Sequence, residues 1–277
     1  MTYLKILIYA LATLMATSTL VFADDDDDDD EIPFEEGWLF FELNDTDGDL
    51  GLHAKIDGDA WKKLEIEDPR GRRMLKVKVQ GRLKRQGLTE LFFESAEPTF
   101  DELDPVDFFK RFPEGIYEIE GITLDGEERE NEVYLSHVIP AAPAGVTVNG
   151  DAAGDCDDGV LSGVSPMGGV TINWDAVTES HEVLGRDIGT ALEDLDIEVR
   201  YYQVIVEIDE TDFVATAIVP AGVTEWTFSE EFFGPSVSEE DEYKFEILVR
   251  VNNGQTDSED EPIPGNLSAV ESCFEVI

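Results

Sequence analysis

The stretch Leu50-Gly51-Leu52-His53-Ala54-Lys55-Ile56 decides the class of this chain. Leu50, Leu52, Ala54 and Ile56 alternate with Gly51, His53 and Lys55, and a period of two belongs to a strand with one buried face. Upstream, Trp38-Leu39-Phe40-Phe41-Glu42-Leu43 is apolar and aromatic. Downstream, Asp57-Gly58 is a hairpin turn signal and Trp61 opens the next run. Met74 to Val79 alternates again, and Thr89 to Glu94 forms another strand pattern. Pro105 to Phe112 is the one good short helix, with Asp104 as N-cap and Pro105 at its first position. Tyr117, Ile119 and Ile122 lead to a second hairpin signal at Asp125-Gly126, and Val133, Leu135 and His137 face one way. About seven short strands with turn signals roughly every eight to twelve residues predict a β-sandwich over 37–138.

Pro140-Ala141-Ala142-Pro143-Ala144 reads as a short stiff linker over 139–145, because proline fixes backbone angles and removes donors. A second run of strands follows: 170–174, 199–208, 213–219, 224–228, 243–251 and 270–276, with a polar insert at 178–196 that contains a helical pattern around 189–195. Within this run, Trp174 ends a strand, Tyr202 to Val206 forms a central strand, and Pro220 to Phe228 is a proline-started strand. Glu242 to Gly254 carries Tyr243 at its start, and Gly265-Asn266-Leu267-Ser268 fits the start of the last strand. In the order and spacing of Trp, Tyr and turns, residues 138–277 resemble a fibronectin type III domain. The resemblance implies a sandwich over 146–277, with Trp174 in its core and the Tyr243 hydroxyl holding the corner before it. The long polar stretch 151–167, the insert and the acidic loop 254–264 depart from that pattern, and no Arg-Gly-Asp sequence is present. The chain also looks like bacterial exported proteins that pair such a domain with an N-terminal β module, a resemblance that brings no activity with it. The fold class expected is therefore all-β: two β-sandwich domains in tandem, the second fibronectin type III-like.

Residues 1–23 read as a signal peptide, with Lys5 before an apolar run and Val21-Phe22-Ala23 at a cleavage site. The run is short for an uncleaved anchor, and no Cys follows the site for a lipid. Asp24 to Asp30 is an unbroken run of aspartates, so 24–36 reads as a solvated, disordered arm. The net charge of −45 over 277 residues disfavours nucleic acid and anionic membranes and favours cations, basic partners or a high-salt medium. The two cysteines, Cys156 and Cys273, in an exported chain point to one disulfide, the alternative being two buried thiols.

Two constellations could carry function. Asp45, Asp47 and Asp49, near Asp57 and Asp59, offer oxygens for calcium, although Leu50 and Ile56 stand where an EF-hand needs glycine and a bidentate carboxylate. The alternative is that they are turn formers in an acid-rich chain. Ten of the 19 basic residues crowd into 62–85: Lys62, Lys63, Arg70, Arg72, Arg73, Lys76, Lys78, Arg82, Lys84 and Arg85. They form either a docking face for an anionic partner or a solvated face paired with local carboxylates. His53, His137 and His181 are scattered, and nucleophile signatures and phosphate loops are absent. Trp174 and Trp226 sit in core-strand patterns, and Asn44 and Asn266 head glycosylation sequons. The expectation is an exported, non-enzymatic binding or structural-interaction protein, periplasmic, cell-surface or extracellular. Its partners would be proteins or surface polysaccharides, with no nucleic acid and no membrane insertion after signal removal. It needs no cofactor, calcium being the one candidate. The alternative is a calcium-dependent matrix or carbohydrate-binding protein, and a secreted hydrolase is third.

Overall fold

The computed structural model describes residues 32–156, 159–208, 211–233, 242–257 and 259–277. The expected signal peptide and the aspartate run lie outside the described residues. The chain is held earlier than the expected end of the arm at residue 36. Phe34 is buried, its N–H donates to Asn131 Oδ1 at 2.8 Å, and Ile32 bridges Arg129.

β1 (Glu36–Asn44) and β2 (Asp49–Glu67) form an antiparallel hairpin. β3 (Arg73–Lys78) and β4 (Leu88–Glu94) both pair with β2. The helix α1 (Pro105–Arg111) precedes the pair β5 (Gly115–Thr123) and β6 (Glu128–Leu135). Then come β7 (Thr147–Val148), β8 (Asp151–Ala152), β9 (Leu161–Val164) and β10 (Val170–Asn173). β11 (Val199–Ile208), β12 (Val214–Pro220) and β13 (Glu225–Phe228) lead to the two longest C-terminal strands, β14 (Glu242–Thr256) and β15 (Pro262–Val276).

The all-β sandwich is present, but its sheets are not divided as two independent modules would be. β13, β10, β7 and β8 form a four-stranded sheet. The other eleven described strands form one sheet with the main path β12-β11-β14-β15-β1-β2-β5-β6. All six N-terminal strands therefore extend the large sheet of the C-terminal half. The join is a parallel pairing of β1 with β15, with Glu42 opposite Leu267, Leu43 opposite Ser268 and Asn44 opposite Ala269. Side chains lock it. The buried Asn266 amide donates to the carbonyls of Ser136 and Val138, both at 2.8 Å, and its Oδ1 accepts from the Phe41 N–H at 2.8 Å. Buried Ser268 donates to the Pro140 carbonyl at 2.5 Å. A glycosylation sequon at Asn266 is thus enclosed, because its amide carries the seam.

Several local expectations change for the same reason. Residues 139–145 are braced rather than free: Ile139 is fully buried, Ala141 N–H donates to the Glu179 carbonyl, and His181 N–H donates to the Ile139 carbonyl. The insert folds against this segment, and at Gly185, where φ is +90°, a Cβ would lie 2.1 Å from the His137 carbonyl oxygen. The helix expected in the insert shrinks to a 3-10 turn over Leu192–Leu195. Asp57-Gly58 is not a hairpin but the middle of β2, where the pairing with β4 slips between Asp57 and Trp61 and the strand changes partners. The expected loop 254–264 is mostly strand, since β14 runs to Thr256 and β15 starts at Pro262.

Two apolar cores result. One packs Leu39, Phe41, Leu43, Leu52 and Ile56 against the α1 ring of Phe108. α1 starts as expected, with Asp104 accepting from the Val106 N–H at 2.8 Å. The other core holds Trp174 against Tyr202 (5.3 Å) and stacks Tyr243 on Phe274 (5.2 Å) between the two sheets. The corner expected to take the Tyr243 hydroxyl, 234–241, lies outside the described residues. Trp226, expected in the core, is 41 % exposed: it shares a face with buried Phe228 and lies opposite Ile172, but β13 is the edge strand of the four-stranded sheet. Cys156 and Cys273 are bridged, with Cα atoms 4.9 Å apart and a sequence separation of 117.

Because one sheet carries both cores, Trp61 and Trp174 report a single unfolding transition in urea, whereas two separate transitions would reveal independent modules. Asn266→Ala strands three backbone groups in the seam and costs about 3 kcal/mol or more, read as a lower urea midpoint for both reporters.

Candidate functional site

The five aspartates proposed for calcium do not converge. Asp45 Oδ1 lies 2.9 Å from His181 Nε2, and Asp47 accepts from the Asn44 side-chain amide at 3.0 Å. Asp57 caps the N–H of Gly58 at 2.9 Å, and Asp59 pairs with Arg129 at 2.6 Å. Asp49 is pushed up to about 6, first by burial and then by Glu97 and Asp47. Asn44 Oδ1 also accepts from the backbone N–H of Thr46 and Asp47, so this loop is a hydrogen-bonded turn between β1 and β2. Among the described residues, one trio of His, Cys, Asp or Glu ligand atoms lies within 4.8 Å of one another: Cys156, Glu242 and Cys273. Its sulfurs are joined in the disulfide.

The basic residues divide into two groups. Pairing of β2 with β3 sets Lys63 opposite Lys78 and Glu65 opposite Lys76. Around the nearly enclosed Glu65 carboxylate, Lys63, Arg73 (2.5 Å) and Lys76 (2.8 Å) converge. The Lys63 and Lys76 hydrogen bonds hold Glu65 down to about 2. Arg72 grips Asp68 through Nε (2.9 Å) and a second nitrogen (2.5 Å), and the Asp68 carboxylate also takes the backbone N–H of Arg70 and Arg72. Lys62 reaches the Leu124 carbonyl at 3.4 Å. Lys78, Arg82, Lys84 and Arg85 make no ion pair among the described residues. The last three belong to a 3-10 turn, Gly81–Arg85, at the β3–β4 tip, whose Leu83 is 50 % exposed.

A third group was not foreseen. On the face of the large sheet opposite the cores, Arg250, Phe40 and His53 form a stack. The Arg250 guanidinium carbon lies 4.0 Å from the Phe40 ring centre, and the Phe40 and His53 rings lie 5.4 Å apart. His53 is buried, with Nε2 at 3.0 Å from Glu97 and 3.5 Å from Glu42. Burial, then the neighbouring Glu97, pushes Glu42 up to about 7, while burial brings His53 down to about 4. Gly51 makes the arrangement possible, since a Cβ there would lie 2.2 Å from the Glu97 carboxylate. The residues come from β1, β2, the segment after β4, and β14. No spacing in the sequence joins positions 42, 53, 97 and 250. The one local signal was Gly51, a residue with no side chain on the outward face of the alternation.

No protein-family model matches the chain, and no curated protein matches it. Among solved structures, the chain is similar to a biofilm-associated protein, BSP domain, at 11 % identity and a TM-score of 0.23. That alignment covers 86 % of this chain and spans 29 % of the other. It is also similar to a two fibronectin type III domain segment from chicken tenascin, at 9 % identity and a TM-score of 0.25, covering 87 % of this chain and 97 % of that one. At such scores neither likeness bears on what this chain binds. Among the described residues no helix is long and apolar enough to cross a membrane.

Among the described residues, no three of the five aspartate carboxylates bring ligand atoms within 4.8 Å of one another. The thermal midpoint is accordingly expected to be equal in calcium and in chelator at matched ionic strength; a calcium-specific rise that magnesium does not reproduce would reveal a site. Glu42 has a folded-state value raised from 4.5 to about 7. Its stabilising protonation is complete below 4.5 and lost as pH rises through 7. Glu42→Gln keeps the neutral form, so it raises stability at pH 8 by about 2 kcal/mol and leaves it unchanged at pH 4, measured by urea unfolding at both pH values.

Proposed function

We propose that this chain is an exported, non-enzymatic interaction protein that docks an acidic segment of a protein partner on the β3–β4 tip. The observation that carries this is the division of the basic cluster. Lys63, Arg72, Arg73 and Lys76 are absorbed by Glu65 and Asp68, whereas among the described residues Lys78, Arg82, Lys84 and Arg85 make no ion pair, the last three sharing a turn with the exposed Leu83. In a chain of net charge −45, an unpaired cationic tip is a local reversal of sign. At physiological salt the Debye length is about 8 Å, so the acidic remainder is largely screened and the tip acts at contact range. An exposed leucine among the cations adds apolar contact to the charge. The disulfide supports export, because such bonds persist in oxidising compartments. The continuous sheet supports a scaffolding role, since β3 and β4, which flank the tip, pair with β2 in the same sheet as the C-terminal strands.

Fluorescence anisotropy of a labelled hexaglutamate peptide tests this with the full chain. Binding is expected at low salt and weakens as salt rises. The variant Arg82→Glu/Lys84→Glu/Arg85→Glu loses at least about tenfold in affinity with an unchanged melting midpoint. Equal affinity of variant and wild type would overturn the proposal.

A further inference from the structure

Far from the tip, α1, the start of β5 and the insert enclose an open cleft of about 680 Å³. Its charged lining is Arg70, Lys110 and Arg186 against a single carboxylate, Glu114. Lys110 also pairs with Asp107 (2.6 Å), and Arg186 with Glu114 and Asp187 (3.1 Å each), while Arg70 makes no ion pair among the described residues. The floor is aromatic. His137 Nε2 is held on the Phe112 carbonyl at 2.7 Å, which sets the imidazole 4.5 Å from the Phe109 ring centre. Val106, 63 % exposed, and Pro113 add an apolar wall.

Arg186 also lines a second cleft of about 400 Å³, whose polar groups include Tyr134, Ser136, Asn253 and Gln255. The two clefts are neighbours that share this one guanidinium. Both fall in the usual size range of ligand sites, about 300–1,000 Å³. The groove crosses from the N-terminal half to the β14–β15 hairpin, so neither half alone builds it.

We propose that this groove holds an anionic saccharide, a chain carrying uronic acid residues. The lining matches that chemistry part by part. A sugar carboxylate meets the Arg70 and Arg186 guanidiniums, whose planar donors suit bidentate pairing, with Lys110 as a point charge. The C–H face of a pyranose lies on the Phe109–His137 floor, and its hydroxyls meet the amide and hydroxyl groups of the second cleft. An acidic peptide would use the cations but would not present the flat C–H face of a pyranose to the Phe109–His137 floor. The proposal rests on reading the chain as an interaction protein, and it adds a second site with a different ligand class from the tip.

The test is calorimetric titration of the full chain with three probes: a trigalacturonate, the same trisaccharide with its carboxyls reduced to alcohols, and triglutamate. The uronate is expected to bind, with both comparison probes weaker by about tenfold or more. Arg70→Ala/Lys110→Ala, two exposed positions outside the cores, loses at least about tenfold for the uronate, while the tip variant retains wild-type affinity. Absence of uronate binding, equal binding of the reduced sugar, or an unaffected Arg70→Ala/Lys110→Ala variant overturns the groove and leaves the hexaglutamate result on the tip untouched. Triglutamate binding as tightly as the uronate replaces the saccharide with an acidic peptide and overturns the assignment.

Discussion

The parallel contact of β1 with β15, locked by the Asn266 side chain, is the constraint on which the rest depends. A parallel pair cannot come from a hairpin, so it brings together segments more than 200 residues apart in the chain. Asn266 then binds backbone on both sides of it: the Phe41 N–H of β1 and the Ser136 and Val138 carbonyls that lead out of β6. Each group is buried and would be costly to leave unpaired, so the amide specifies the register as well as closing the seam. Both cores lie on one face of the resulting sheet, which leaves the opposite face to the Arg250–Phe40–His53 stack.

Charge is organised by the same geometry. A chain with 64 acidic and 19 basic side chains has few cations, and the fold decides which of them are visible from outside. Glu65 shows how. It sits on β2 directly opposite Lys76, with Lys63 two residues back and Arg73 across the strand pair, and so gathers three of the cations in its neighbourhood. The pairs are worth little individually where they are exposed, but together they remove most of β3 from the field that a partner meets. Among the described residues, what remains of the 62–85 cluster without an ion pair is Lys62, Arg70, Lys78 and the three cations of the 3-10 turn within the β3–β4 connection.

Much of the secondary structure was legible because its signals are local. The alternation at 50–56, the N-cap of α1 at Asp104 and the strands around Trp174, Tyr202 and Tyr243 all stand where their patterns place them. Asp57-Gly58 misled because the same pair that favours a hairpin also suits a slip in pairing, and only the presence of β4 and β5 on either side of β2 selects between them. Pro140 to Ala144 misled in a similar way. Proline predicts a stiff segment, but whether that segment is a free linker or a braced one depends on the insert that closes over it.

The amino-acid sequence alone determined the β class, the position of the short helix and the acidity, because each follows from periodicity, capping or composition; it left the two cysteines as a bridge or two thiols, and the fold joins them. Tertiary structure decided that the two halves share a sheet, that the five aspartates disperse, that Glu65 absorbs three cations of the basic face, and that Arg70, Lys110 and Arg186 line one groove. Those outcomes rest on which distant residues become neighbours, and that is set by the β1–β15 register rather than by any pattern along the chain.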